Sequence, residues 1–457
     1  MKAVAISALA SGQGKTMFTM ALLHWIKTNI GSVRPYKVGP DYIDPRFHEK
    51  ITGVDSINLD LYMMKENELK STFLYYAKGY DNLVVEGVMG FYDGIDYGTS
   101  TYEVTKALAV PTVLVVSAEG SYATIVPTLK GMMEYKPNNT IKGVILNKLS
   151  SEKHFQTIKS QIEKELPQLK ILGWIQKNLD AISSRHLGLD LTELNSEKLD
   201  QLSKQVMKNI DVPELLKFME DKNEIECEAD LWLQEADKVK QVCGNLNITI
   251  VNDEAFSFIY QQNIDFLEKV FGKVHRVSAL KDEEIPIETD VVYIPGGYVE
   301  TPEVAPILHT ASRFKQSLQK IASYPDKRIY AECAGLMFLG AKIQTTDDQV
   351  IEGAGILPLN FEIQKIRHRL GYYKAVDKDS FTIYKGHAFH YSRPALIGED
   401  ESCIKWGLFK DRDKEATAGA WTNENGNVLG TYLHSLFFNQ PNLVLEYLCP
   451  NSALQKI

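Results

Sequence analysis

The opening segment "KAVAISALASGQGKTMFTMALLHWIK" constrains the fold more than any other stretch of this chain. "KAVAIS" reads as a short apolar strand with β-branched residues, and "ALASGQGK" is small and flexible. From Lys15 onward, Met17, Met20, Leu22, Leu23 and Ile26 recur at helical spacing. Strand, glycine loop and helix together form a phosphate-binding arrangement. Backbone N–H groups of Ser11, Gly12 and Gly14 and of the helix N-terminus face the phosphates, Lys15 offsets their charge, and the Thr16 hydroxyl can ligate Mg²⁺. The loop departs from G-x-x-x-x-G-K-[ST], which wants glycine at Leu9; a loop one residue longer wants it at Ala8. Two other readings compete. One is a helix cap without a ligand. The other is a secretory signal cleaved after Ala8-Leu9-Ala10, which is the poorer account because one lysine precedes the apolar run and Ser7 breaks it.

At 457 residues the chain is too long for one ordinary core, so two or three domains are expected. Residues 1–190 alternate strand-like runs ("SVRPYKVG", "YDNLVVEGVMG", "VPTVLVVSAEG", "IKGVILNKL") with helix-like ones such as "STYEVTKALA". That alternation predicts a mostly parallel sheet with helices on both faces and ligands at the carboxyl ends of its strands. Residues 191–245 are polar and helix-rich and read as a connecting region. A second alternating series, residues 246–457, predicts another doubly wound α/β domain.

A net charge of −9 argues against a nucleic-acid partner, and an anionic substrate would need a locally basic pocket. No apolar run approaches the ~18 residues of a membrane helix. Five cysteines with no CxxC pair suit reduced thiols in a cytoplasm better than a disulfide framework or a zinc site.

In "YKVGPDYIDPRFH", Asp41 and Asp44 occupy a proline-bounded turn after a strand. Held near a phosphate loop, they suit Mg²⁺ or substrate positioning, although an Asx-type turn accounts for them equally well. "VVEGVMGFYDG" adds Glu86 at a strand end and Asp93 beyond it, with Gly87, Gly90 and Gly94 allowing close approach of a ligand. Asn147 after "VIL" is placed to read an adenine edge or to serve a turn. Arg185 and His186, like Arg46 and His48, are candidate contacts for an anionic substrate, or solvated surface.

"RIYAECAGLMF" reads as strand, tight turn and helix, the logic of a nucleophile elbow with Cys333 in place of serine. The bland alternative is a buried structural cysteine. His434 in "VLGTYLHSLF" follows another apolar strand and suits a base, and Gly296-Gly297 in "YIPGGY" could supply oxyanion-hole N–H groups. Together they point to acyl transfer through a thioester.

The motifs "SGQGKT", "KVGPDYIDPRFH", "VEGVMGFYDG", "SRHLGL", "DEAFSFIYQQN", "PGGY", "AECAGLMFL" and "GHAFHYSR" occur in an order that resembles the cobyrinic acid a,c-diamide synthases. The resemblance spans nearly the whole chain. It implies an N-terminal ATP-binding synthetase domain similar to dethiobiotin synthetase, of the P-loop type, and a C-terminal class I glutamine amidotransferase domain. It also implies the longer phosphate loop, MgATP, glutamine and cobyrinic acid as ligands, and amidation of the a and c acetates by way of an acyl phosphate. Departures are Ala331 and Ala334 around the elbow, Ala388 where glutamate is usual, and Leu436 where amidotransferases usually carry glutamate. That last change implies a Cys333–His434 dyad. The same chemistry on nickel-sirohydrochlorin, in coenzyme F430 synthesis, is the near alternative; a non-catalytic partitioning-type ATPase is the distant one. The oligomeric state, with a homodimer among the options, is left open.

Overall fold

The structure is a computed structural model that describes residues 2–179, 184–185, 188–189, 195–219, 225, 227 and 230–454. The chain divides into two compact units, residues 1–230 and 231–457.

The first unit holds a parallel sheet of seven strands: β1 (Lys2–Ala8), β2 (Val33–Val38), β3 (Ile57–Leu59), β4 (Asn82–Glu86), β5 (Thr112–Ser117), β6 (Ile141–Leu149) and β7 (Lys170–Gln176), in the order β3-β2-β4-β1-β5-β6-β7. Alternation along β5 sends Val113 and Val115 into one core and Leu114 and Val116 into the other. The first core is closed by α1 (Lys15–Asn29) and α2 (Asp44–Thr52) through Phe18, Leu22, Ile26 and Phe47. The second is closed by α5 (Ile125–Glu134) and α6 (Glu152–Glu165) through Leu129, Phe155, Ile158 and Ile162. Between them in the chain lie α3 (Glu66–Ala77) and α4 (Thr101–Ala107), the latter capped by Ser100, which accepts from Glu103 N–H.

The expected connecting region is not a separate segment. Two short antiparallel strands, β8 (Ser184–Arg185) and β9 (Gly188–Leu189), precede α7 (Ser196–Met207) and α8 (Val212–Met219). Leu199, Leu202, Val206 and Leu215 of these helices join the first core, and each full burial contributes about 1.5–3 kcal/mol. Their polar outer faces concealed that stripe in the sequence. The next helix, α9 (Leu231–Cys243), belongs to the second unit, where Trp232 meets Phe266 edge-on at 6.1 Å. A Cys243–Cys449 disulfide ties α9 to the C-terminal segment, which corrects the expectation that all the thiols are reduced. The reason is spatial: two cysteines 206 residues apart meet in one buried layer.

The second unit has a nine-stranded sheet. Its parallel part comprises β10 (Asn247–Val251), β11 (Lys273–Val277), β12 (Val291–Ile294), β13 (Arg328–Glu332) and β22 (Val428–Thr431), ordered β11-β10-β12-β13-β22. An antiparallel extension continues as β21 (Thr417–Thr422), β20 (Ile404–Phe409), β17 (Arg369–Asp377) and β18 (Ile383–His390). A smaller sheet is made of β14 (Lys342–Gln344), β15 (Val350–Glu352), β16 (Leu359–Ile363) and β19 (Ser392–Leu396). Helices α10 (Gln261–Val270), α11 (Ala305–Thr310), α12 (Ser312–Ala322) and α13 (Ala334–Leu339) complete the parallel half. Among the described residues no helix is long and apolar enough to cross a membrane.

Candidate active sites

In the first unit, β1 leads into an exposed loop at Ser11 and Gly12 and then into α1. Gly14 caps the helix at φ 95°, and a Cβ there would overlap the Asn147 amide nitrogen. That amide donates to Gln13 O at 2.8 Å, and its oxygen accepts from Lys148 N–H at 2.7 Å. Asn147 therefore braces the loop, with one donor and one acceptor position of its amide engaged by the backbone. Gln13 Oε1 accepts from Ser117 N–H at 2.6 Å, a second brace.

Behind the loop lies a buried charge cluster. Glu86 Oε1 accepts from Thr16 Oγ1 at 2.7 Å and Lys15 Nζ at 3.0 Å. Lys37, which the sequence reading passed over, is the register partner of Glu86 across β2 and β4. Its ammonium lies 3.3 Å from Glu86 Oε1 and 3.4 Å from Asp41, and it also pairs with Asp44. Burial would discharge Lys37, but Asp44, Glu86 and Asp41 outweigh it and hold its pKa well above the ordinary range. Burial likewise opposes ionisation of Glu86, and Lys37, Lys15 and His48 overcome it. Asp44 is pushed up to about 6 by burial and by its carboxylate neighbours, against the pull of Lys37. Lys15 is lowered by burial, more than Glu86 restores. Asp41 also accepts from Ile43 and Asp44 N–H groups at 2.8 and 3.1 Å, so the turn reading holds as well.

Three other positions stand elsewhere than expected. His48 is fully buried, its Nε2 2.8 Å from Glu86 Oε2 and Nδ1 3.0 Å from Ser56 Oγ; it supports Glu86 instead of facing a substrate. Asp93 accepts from Gly90 N–H at 2.7 Å and closes its own loop. Gly90 gives room to protein, since a Cβ would meet Leu9 O at 2.5 Å. Arg46 is half-buried on α2. His186 and the side chain of Arg185 lie outside the described residues.

Among the described residues no three His, Cys, Asp or Glu side chains stand together as a metal cage. Mg²⁺ does not require one, because it is held by one or two protein oxygens together with phosphates and water. Thr16 Oγ1 and Glu86 Oε1, 2.7 Å apart beside the phosphate loop, fit that pattern.

In the second unit β13 ends at Glu332, and Cys333 turns the chain into α13 with φ 47° and ψ −100°. The turn is pinned by Cys333 N–H to Thr431 O at 2.7 Å and Met337 N–H to Cys333 O at 3.0 Å. This is the expected elbow, with the strain on Cys333 itself and the flanking alanines in strand and helix. His434 hydrogen-bonds Cys333, and its Nδ1 lies 3.1 Å from Glu332 Oε2. Burial would lower the His434 pKa; the bonds to Cys333 and Glu332 win and raise it to about 10. Gly296 lies against the imidazole, where a Cβ would fall 2.5 Å from Cε1, and a Cβ on Gly297 would overlap Ala255 O.

The strand β18 covers this pair. His387 exchanges two backbone hydrogen bonds with His434, and Cys333 Sγ lies 3.9 Å from Phe389 O. On the same strand His390 stacks on Tyr432 at 3.5 Å, and burial lowers its pKa to about 2. Ala388 is fully buried opposite Gly371. Glu332 and β18 were missed in the sequence; the available signal was an acidic residue closing an apolar run.

A phosphate loop on a parallel sheet and a cysteine elbow facing a histidine define a P-loop ATPase fused to a glutamine amidotransferase. Residues 247–442 match the CobB/CobQ-like glutamine amidotransferase domain, and residues 2–184 match an AAA domain. Proteins named cobyrinate a,c-diamide synthase align over almost the whole chain. That of Fusobacterium nucleatum is 36% identical over 98% of this chain and 100% of its own. Those of Saccharolobus solfataricus and Clostridium tetani are 34% and 36% identical over 96% of this chain and 98% and 97% of theirs. The chain belongs to the cobyrinate a,c-diamide synthase family.

Proposed function

We propose that the protein amidates the a and c acetate carboxylates of cobyrinic acid, using ATP and glutamine. The observation that supports this reading is the presence in one chain of the Lys15–Thr16–Glu86 cluster and the Cys333–His434 pair. Each suits one half of an amide synthesis.

In the first unit the loop N–H groups and Lys15 hold the phosphates of ATP. Thr16 and Glu86 would hold Mg²⁺, which offsets phosphate charge when bound. Lys37 and Lys15 would offset the charge that gathers on the transferred phosphoryl group, with Asp41 and Asp44 positioning Lys37. Transfer of the phosphoryl group to a carboxylate oxygen of the substrate releases ADP and makes phosphate the leaving group. In the second unit Cys333 attacks the glutamine side-chain amide and His434 protonates the departing ammonia. N–H groups at Gly296-Gly297 receive the developing oxyanion. Ammonia then displaces phosphate from the acyl phosphate.

Purified protein with ATP, Mg²⁺, glutamine and cobyrinic acid should give a product carrying two added amides by mass spectrometry. Turnover of nickel-sirohydrochlorin with none of cobyrinic acid would transfer the assignment to that macrocycle. Turnover of neither would overturn both substrates.

A further inference from the structure

The usual place for an amidotransferase carboxylate, two residues after the histidine, holds Leu436, a buried apolar side chain. A carboxylate nevertheless reaches the histidine from another strand. β13 and β22 run parallel with Glu332 opposite Thr431, which brings Glu332 level with the chain just before His434. The side chain of Glu332 is buried, and its Oε2 lies 3.1 Å from both His434 Nδ1 and the Tyr293 hydroxyl. A carboxylate buried in a strand is strongly unfavourable unless a cation or several donors face it. His434 is the cation facing it. With Nδ1 engaged by Glu332, Nε2 is the ring nitrogen left for the sulfur.

We propose that Glu332 is the third member of the Cys333–His434 site, a positioning residue that fixes the ring of His434 toward Cys333 and balances its charge. The proposal rests on the amidotransferase reading and completes it. In the forward step the proton of the thiol rests on His434 Nε2 as an ion pair with the sulfur, the sulfur bonds the amide carbon and the carbonyl π pair moves to oxygen. Collapse breaks the C–N bond, and the proton on His434 leaves with the nitrogen as ammonia. Water then attacks the thioester, its proton passing through His434 back to sulfur. Glu332 exchanges no proton at any step. Its position next to the nucleophile lets one strand fix both the elbow and the orientation of the base.

The test is Glu332→Gln, which keeps shape and hydrogen-bonding reach but removes the charge. Glutamine hydrolysis should fall about 100-fold in kcat, with KM within about twofold. The ring resonances of His434, identified by their loss in His434→Gln, should titrate at lower pH than in the wild type. The groups that bear on this ring are Glu332 and Cys333 around the elbow, Tyr293 and Tyr330 through Glu332, and His390 on β18. Glu332→Asp retains the charge and should recover part of both readouts. A Glu332→Gln protein with kcat within about threefold of wild type and an unmoved His434 titration would overturn the proposal. If circular dichroism shows that this variant does not fold, Tyr293→Phe decides, since it removes only the second donor to Glu332. A lowered kcat with a moved titration supports the assignment, and no change in either overturns it. A wild-type protein without glutamine hydrolysis would sink the amidotransferase reading, while the His434 titration would still decide whether Glu332 governs the ring.

Discussion

The backbone of His387 holds the backbone of His434, donating its N–H to His434 O at 2.9 Å and accepting from His434 N–H at 2.8 Å. The pairing is close because its neighbour is Gly386, where a Cβ would overlap His434 O. Gly386→Ala should push β18 away from the histidine. We expect glutamine hydrolysis to collapse and stability to fall by about 1–3 kcal/mol, the usual range for an added methyl group in a packed interior. Urea unfolding and a glutaminase assay check the two effects.

Cys333→Ala should abolish glutamine-dependent amidation yet leave amidation with added ammonium salts, because ammonia can enter the synthetase site directly. Loss of both activities in a folded variant would make the cysteine structural.

Two lysines of the first unit should separate by severity. Lys15→Ala should stop ATP use with either nitrogen donor while the protein remains folded. Lys37→Met should also destabilise the unit, by about 3–5 kcal/mol, because it takes a buried cation out of the cluster and leaves Asp41 and Asp44 without theirs, while Glu86 keeps Lys15, Thr16 and His48. Equal unfolding midpoints for the two variants would refute the ranking.

The phosphate loop was readable because strand, loop and helix are contiguous, and the elbow for the same reason. Lys37 and Glu332 were not, although each is a lone charge in an apolar run. Their meaning comes from neighbours across the sheet, Glu86 for one and the end of β22 for the other. Asn147 reads in the sequence as an adenine contact or a turn residue, and its hydrogen bonds to the phosphate loop are visible only in three dimensions. The antiparallel extension ending in β18 was hidden because its contribution to the site is made by backbone.

The His434 pKa is raised from about 6.5 to about 10, so the native state binds more protons than the unfolded chain between those values. Its stabilising effect is complete below pH 6.5 and is lost as pH rises through about 10. The difference in melting temperature between wild type and His434→Asn should therefore narrow across that interval.

The Cys243–Cys449 bond closes a loop across nearly all of the second unit. Non-reducing denaturation should leave Cys227, Cys333 and Cys403 as free thiols. Cys449→Ser should lower stability by about 2–4 kcal/mol, measured by urea unfolding without reductant.

The positive φ of Cys333 sets chemistry against folding. An L-residue at φ 47° and ψ −100° is held in a conformation that costs about 1–3 kcal/mol, and glycine is free of most of that strain. Cys333→Gly should thus be more stable than Cys333→Ala, and both are inactive with glutamine. A sequence chosen for robustness alone would drift to glycine at this turn. The cysteine marks the place where the protein has retained a less durable backbone in exchange for a reactive sulfur.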